Sequence, residues 1–338
     1  MGRRVKSGIP DDPLAPEEFA LYPPPSAAVR RVRERASEGH ALGQLVGDWW
    51  EEYVAQPMLR EVAEGLGLFL DTRFAARSCR GAAVSWEDEA GNLVDYDFVL
   101  ELGGTPDRRG IPVGFVESFW RRGARHSKDK ARDDTGKLVP MRDTYPTARF
   151  LAIVAAGDFT DPARDLVRSR GIELFYVPKI KIVECFAHHG LVIDYPDRTP
   201  ETDKSVLVRA FEAQYDRSVA RSVAATLRRS VGEASVSSFI AKVVGALAAL
   251  PQEIRIVRSG HSPPVVFEDL RAAGEFLLAP SFQQVVEATT YQYTVIYSDG
   301  TEFQREFDSL DGMRVLHAQL VTLAEHVEKI PILGRSAP

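Results

Sequence analysis

Between Asp95 and Lys130 the chain sets carboxylates on two apolar runs and follows them with a basic segment. The runs read Asp95-Tyr-Asp-Phe-Val-Leu-Glu101 and Pro112-Val-Gly-Phe-Val-Glu117-Ser-Phe-Trp120; the basic segment is Arg121-Arg-Gly-Ala-Arg-His-Ser-Lys-Asp-Lys130. Carboxylates on neighbouring strands offer Mg²⁺ the oxygen ligands it prefers, and arginines and lysines beside them suit a phosphate. Strand alternation puts Asp95, Asp97, Val99 and Glu101 on one face. An antiparallel neighbour over Ile111–Phe119 would bring Glu117 close to Asp97. Like charges at that range repel, and a bound cation is the usual compensation. The plainer alternative makes Asp95, Asp97 and Glu101 the solvated face of an edge hairpin. Glu117 resists it, because it ends an apolar run in a strand that should be buried.

The basic run holds Arg121, Arg122, Arg125, Lys128, Lys130 and Arg132 against Asp129 alone, with His126 among them. By itself such a run is usually a solvated helix face. Directly after the Glu117 strand it is a candidate phosphate-contacting segment, with Arg121, Arg122, Arg125 and His126 facing a nucleic-acid backbone. Lys128 and Arg132 are four apart and share a face, whereas Lys130 points elsewhere.

These residues need elements to position them. Helical spacing recurs from Ser26 to about Leu70 through Leu42, Leu45, Val46, Trp49, Trp50, Val54, Met58, Leu59 and Val62. Val84–Glu89, a Gly91-Asn92 turn and Leu93–Leu102 predict a hairpin, and Ile111–Phe119 a strand inside a sheet. A helix is expected at about Ser127–Val139, then strand Phe150–Ala155. Thr160-Asp161-Pro162 starts a helix with a capping side chain, Gly171 ends it, and Ile172–Val177 is a strand. Beyond Pro200, Asp203–Leu250 is helical with a break near Gly232, and Phe267–Leu277 is another helix. Tyr291–Ser298 and Thr301–Phe307 flank an Asp299-Gly300 hairpin turn, and Asp311–Val327 is a last helix. No internal repeat or low-complexity segment is evident.

Asp97-Phe-Val-Leu, a turn, then Val116-Glu117 closing the next strand resembles the PD-(D/E)XK nuclease superfamily, the fold of many type II restriction endonucleases. The strand, helix and strand over Phe150–Val177 match the order of that core, and the resemblance covers roughly residues 40–190. It implies an α/β fold: a restriction-endonuclease-like core with a mixed central β-sheet flanked by helices, plus a largely helical C-terminal region with a β-hairpin. The implied organisation is an irregular arm at 1–26, a catalytic core at 27–200, and residues 201–338 for DNA recognition or dimerisation. Asp97 and Glu117 map onto the two metal-binding acids, with Mg²⁺ as cofactor. The family's lysine two residues after the acid does not map, because position 119 is Phe. Lys130, or else Lys128, would take its catalytic role from the following helix. The residue before Asp97 is Tyr96 where the family commonly has Pro. The implied activity is site-specific hydrolysis of double-stranded DNA by a homodimer, and it allows a cognate DNA methyltransferase encoded nearby. Phe119 keeps open a non-cleaving DNA-binding protein on a nuclease-derived fold, and a structure-specific repair nuclease is a third reading.

The composition, 44% hydrophobic and 27% charged over 338 residues, is that of an ordinary globular protein. No apolar run approaches the roughly 20 residues of a membrane span, and Met1–Asp12 lacks the apolar stretch of a secretory signal. Two cysteines, Cys79 and Cys185, are too few for a disulfide framework and fit a reducing cytoplasm. A net charge of −6 disfavours indiscriminate polyanion binding but not a local basic cleft. Glu51 and Glu52 are expected as surface carboxylates, although in this fold a helix acid sometimes completes the metal site. His188-His189 lack companions for a metal site. Trp49-Trp50 suggest core packing, or one ring stacked on a base. The Asp299-Gly300 hairpin either completes a sheet or enters a DNA groove. Phosphate-loop, nucleophile-elbow and zinc spacings are missing from the sequence.

Overall fold

The computed structural model describes residues 38–258, 263–279, 282 and 290–330, so the arm expected at 1–26 lies outside the described residues. Helix α1 (Glu38–Trp50) passes through a π turn (Glu51–Ala55) into α2 (Gln56–Gly65). Leu42, Val46 and Trp49, spaced four and three apart, bury one face of α1. The indole N–H of Trp49 donates to the carbonyl of Ala220 and that of Trp50 to the carbonyl of Val154, at 3.0 and 2.9 Å. Both rings are core, which removes them as base-stacking candidates.

The chain then forms β1 (Phe69–Thr72), a hairpin of β2 (Val84–Glu87) and β3 (Leu93–Tyr96), β4 (Phe98–Leu102) and β5 (Ile111–Arg121). Next come α3 (Ser127–Thr144), β6 (Phe150–Gly157), α4 (Asp161–Ser169), β7 (Glu173–Pro178) and α5 (Lys179–His188). The central sheet has the order β1-β4-β5-β6-β7. The β1–β4 and β4–β5 pairs are antiparallel, whereas β5, β6 and β7 are mutually parallel. This is an α/β fold on a mixed sheet. Phe98, Leu100, Val116, Val154 and Val177 pack one face beneath α1, α2 and α5. Val99, Phe115, Leu151 and Ile153 pack the other against Leu138 and Met141 of α3. β6 is buried along its whole length, as its unbroken apolar run requires of a strand covered on both faces.

Three local expectations change. The stretch Leu93–Leu102 is not one strand: it bends at Asp97, so β3 pairs with β2 in a small separate sheet while β4 joins the central one. Thr160 sits at the N-terminus of α4, but its side chain makes no capping hydrogen bond. The expected helix from Phe267 begins only at Leu270, because the chain before it pairs as a strand.

Helices α6 (Glu201–Gln214), α7 (Arg217–Val231) and α8 (Glu233–Ala248) extend the first core through Val208, Phe211, Val223, Leu227, Val236, Phe239 and Val243. α7 and α8 meet at 89° at Gly232, whose φ of +89° suits only a residue without a Cβ. Among the described residues no single helix is long and apolar enough to cross a membrane.

The remainder contains β8 (Pro251–Arg258), β9 (Val265–Phe267), α9 (Leu270–Leu278), β10 (Tyr291–Tyr297), β11 (Glu302–Phe307) and α10 (Leu310–Lys329). This is a repeat that the sequence did not reveal. Two strand–strand–helix units form one antiparallel sheet, β11-β10-β8-β9, with the first strand of each unit at its centre. Phe267-Glu-Asp-Leu270 and Phe307-Asp-Ser-Leu310 occupy equivalent places. Asp269 accepts from the Ala272 N–H and Ser309 from the Gly312 N–H, so each caps its helix. The Asp299-Gly300 turn joins β10 to β11 and is exposed. Arg149 donates to the Ala249 carbonyl at 2.8 Å, lies 3.5 Å from the Tyr297 ring centre and pairs with Asp299, tying the turn to the first core.

Candidate active site

The β4–β5 register pairs Phe98 with Val116, so Asp97, at the bend, lies across from Glu117. The backbone N–H of Ser118 donates to Asp97 Oδ2 at 2.6 Å and fixes that carboxylate at the strand end. Glu117 is only 3% exposed. Burial first, then the charges of Asp97 and Asp134, push its carboxyl up to about 8; Lys137 and Lys130 oppose the rise.

Glu51 joins this pair, and the expectation that it is a surface residue is overturned: it is buried. It opens the π turn, where an added residue alters which way the following side chains point. Burial and a hydrogen bond shared with Asp97 push its carboxyl up to about 9, although Arg73 bonds it from the other side. Glu52, the neighbouring acid, is half-buried.

Helix α3 completes the cluster. Lys130, Asp134 and Lys137, four and three apart, project from one face. The Lys130 ammonium donates to Asp134 Oδ1 at 2.6 Å and lies 5.2 Å from the centre of the Phe119 ring. Burial works against its charge, but Asp134, Glu117 and Asp97 prevail and hold it protonated above its ordinary range. Asp134 is fully buried; its carboxyl is pushed up by that burial, and its Oδ2 has no hydrogen-bond partner. Lys137 Nζ lies 3.4 Å from Glu117 Oε1 and 3.4 Å from the Asp95 carbonyl.

The expected row of acids on one strand face does not form. The bend at Asp97 and a register shift between Leu100 and Glu101 send them to three places. Asp95 is exposed and accepts from the Ser85 hydroxyl, Asp97 faces Glu117, and Glu101 is fully buried against Arg77. A solvated edge is therefore wrong for Glu101.

The basic run divides as well. Lys128 and Arg125 are exposed. Arg121 Nη2 donates to the His126 carbonyl at 3.2 Å, and His126, at φ +65° just before α3, bonds Asp129 at 3.0 Å. Arg122 is engaged within the protein: it donates to the Tyr195 carbonyl and to Asp197, each at 2.8 Å, and covers the Tyr195 ring. His188 and His189 close α5, where His189 bonds Thr226.

Asp134 and Lys137 escaped sequence reasoning. The usable signal was the Lys130-x₃-Asp134-x₂-Lys137 spacing on a helix whose Ala131, Leu138 and Met141 are apolar; one acid sharing that stripe must be buried. Among the described residues no three His, Cys, Asp or Glu side chains are arranged to hold a metal by themselves. Mg²⁺ needs fewer, since it commonly takes one or two carboxylates, several waters and the substrate's phosphate oxygens. Asp97 and Glu117, two hard-oxygen donors that repel one another, fit that demand. No protein-family model, curated protein or solved structure matches this chain.

Proposed function

We propose that the protein is a Mg²⁺-dependent endodeoxyribonuclease of restriction-enzyme type, acting on double-stranded DNA at specific sites and built on a restriction-endonuclease-like fold. The observation that carries this reading is the facing pair of half-buried Asp97 and buried Glu117, mutually repelling and flanked by Lys130 and Lys137. Asp97 and Glu117 would hold Mg²⁺, with Ser118 N–H keeping Asp97 in place. The ion would supply an activated water and take up charge on the scissile phosphate. Lys130, held protonated, serves as an electrostatic donor to the phosphoryl oxygens rather than as a proton acceptor. Lys137 stands beside Glu117 in the same capacity. Phe119 occupies the place of the usual lysine, and its ring instead supports the Lys130 ammonium. That weakens the case for a non-cleaving binder. Arg121, Arg125, Lys128 and His126 are the candidates for backbone phosphates; Arg122 would have to leave Tyr195 and Asp197 to join them. The paired strand–strand–helix units are the proposed source of recognition or of contacts in a homodimer.

The test incubates the full chain with a large phage DNA, with and without Mg²⁺, beside Glu117→Ala. Discrete fragments that require both Mg²⁺ and Glu117 are expected, with DNA binding and fold retained in the variant. Cutting that persists in Glu117→Ala removes this carboxylate from the site. Intact DNA under every metal, with binding retained, favours the non-cleaving binder.

A further inference from the structure

Arg73 follows β1 and reaches the acid cluster from the side opposite α3. Its Nε donates to Glu51 Oε2 at 2.7 Å, and its Nη2 bonds both that same oxygen and Asp48. The Arg73 side chain is 40% exposed and that of Asp48 57%, whereas Glu51 is 8% exposed. The guanidinium therefore stands at the rim, one face to solvent and one to the buried acids. An ion pair with so exposed an aspartate contributes little, so a phosphate can replace that carboxylate.

The backbone beneath Arg73 is held firmly. Arg80, buried, donates through Nη2 to the carbonyls of Thr72 at 2.8 Å and Ala75 at 3.2 Å, on either side of Arg73. Arg77, also buried, bonds Asp71 on β1 and Glu101 on β4. A solvent-facing fork on a fixed backbone is suited to bidentate capture of a phosphodiester. Lys137, 39% exposed, stands on the far side of the same acids.

We propose that Arg73 is a substrate-binding residue that clamps a backbone phosphate next to the acid cluster, opposite Lys137. The assignment rests on the reading of this site as one for nucleic acid. Asp48 pairs with the outer Nη2 when no substrate is present, and the phosphodiester takes its place while Nε stays on Glu51.

The test is a titration of a fluorescent 30-base-pair duplex against NaCl in EDTA, so that cleavage and metal play no part. Wild type, Arg73→Ala, Arg73→Gln and Arg73→Lys are compared, with thermal melting as the check on folding. Removal of one phosphate contact should lower the slope of log affinity against log salt by about 0.9. Arg73→Ala and Arg73→Gln should show that loss with roughly tenfold weaker binding at low salt, the contribution of one charge-assisted hydrogen bond. Arg73→Lys should restore the slope but only part of the affinity. Should Arg73→Ala melt early, Arg73→Gln, which keeps hydrogen bonds to Glu51, decides. An unchanged slope in a folded variant, with wild type binding normally, overturns the clamp alone. Wild type with no salt-dependent duplex binding overturns the nucleic-acid reading and the clamp with it.

Discussion

Two groups of buried charge lie along the same sheet and have opposite characters. In the first, Asp71 and Glu101 meet Arg77 and Arg80, all with side chains no more than 1% exposed. Every carboxylate oxygen there is taken: Glu101 by both Arg77 nitrogens and the Gly110 N–H, Asp71 by Arg80 and Arg77. In the second, Glu51, Asp97, Glu117 and Asp134 outnumber Lys130, Lys137 and Arg73. Two of its carboxyls are displaced far above the ordinary range, and one buried oxygen has no partner. The same residue types thus do different work according to saturation. A network whose bonds are all satisfied can only brace the fold. One left short of positive charge has capacity for a ligand, and that imbalance, rather than the number of acids, marks the candidate site.

The contrast can be broken most severely at the brace. Glu101→Ala leaves Arg77 buried with half its counter-charge gone and should cost about 3–5 kcal/mol of stability, read as a large fall in the urea midpoint. Glu117→Gln, by comparison, should leave that midpoint unchanged or raise it. Equal losses at both positions would erase the distinction. Next in size, Lys130→Ala and Lys137→Ala should each slow cleavage about a hundredfold, the worth of an electrostatic donor; Lys130→Ala should also lower the melting temperature, because it strips buried Asp134 of its ion-pair partner. Lys128→Ala should change the rate less than about threefold. A severe loss at Lys128 alone would move the cationic role to the exposed face of α3.

A further effect is one of pH. Glu117 and Glu51 have carboxyls raised to about 8 and about 9 from an ordinary 4.5. Their folded values exceed their unfolded ones, so the stability they contribute is fully present below about 4.5 and is lost as pH rises through 8 to 9. Without divalent metal the melting temperature should fall across that window. Each kcal/mol amounts to roughly 2–4 °C in a chain of such size. Glu117→Gln should flatten the fall and Mg²⁺ should reverse it. A wild-type profile as flat as that of the variant would show that these acids are not strained.

The sequence made the central sheet largely legible because its strands are apolar runs between unambiguous turns. Asp97 and Glu117 were readable for the same reason: a carboxylate at the end of such a run is costly to bury unless something binds it. Glu101 misled because alternation holds only along an unbroken strand, and a bend and a register shift intervene. Glu51, Asp134 and Lys137 were obscured by lying on helices, where a charged residue is normally solvated and only its three-dimensional neighbours show otherwise. The strand–strand–helix repeat stayed hidden because its shared features, a Phe, a capping side chain and a Leu, are spread over helix starts that resemble many others. Pro251–Arg258, with Glu253, Arg255 and Arg258 among apolar residues, did not suggest the central strand that it is.

The π turn at Glu51–Ala55 behaves as a phase adjuster. Each residue of a regular α-helix advances its side chain by about 100°, so one residue more or fewer changes the rotation of everything downstream relative to everything upstream. α1 and α2 are both locked to the core, by Trp49 and Trp50 on one side and Met58, Leu59 and Val62 on the other. The surplus rotation between those two anchorages has to be absorbed where Glu51 leaves the helix. Chain length at this point therefore sets an angle, and a single-residue deletion would redirect a carboxylate without changing its chemistry.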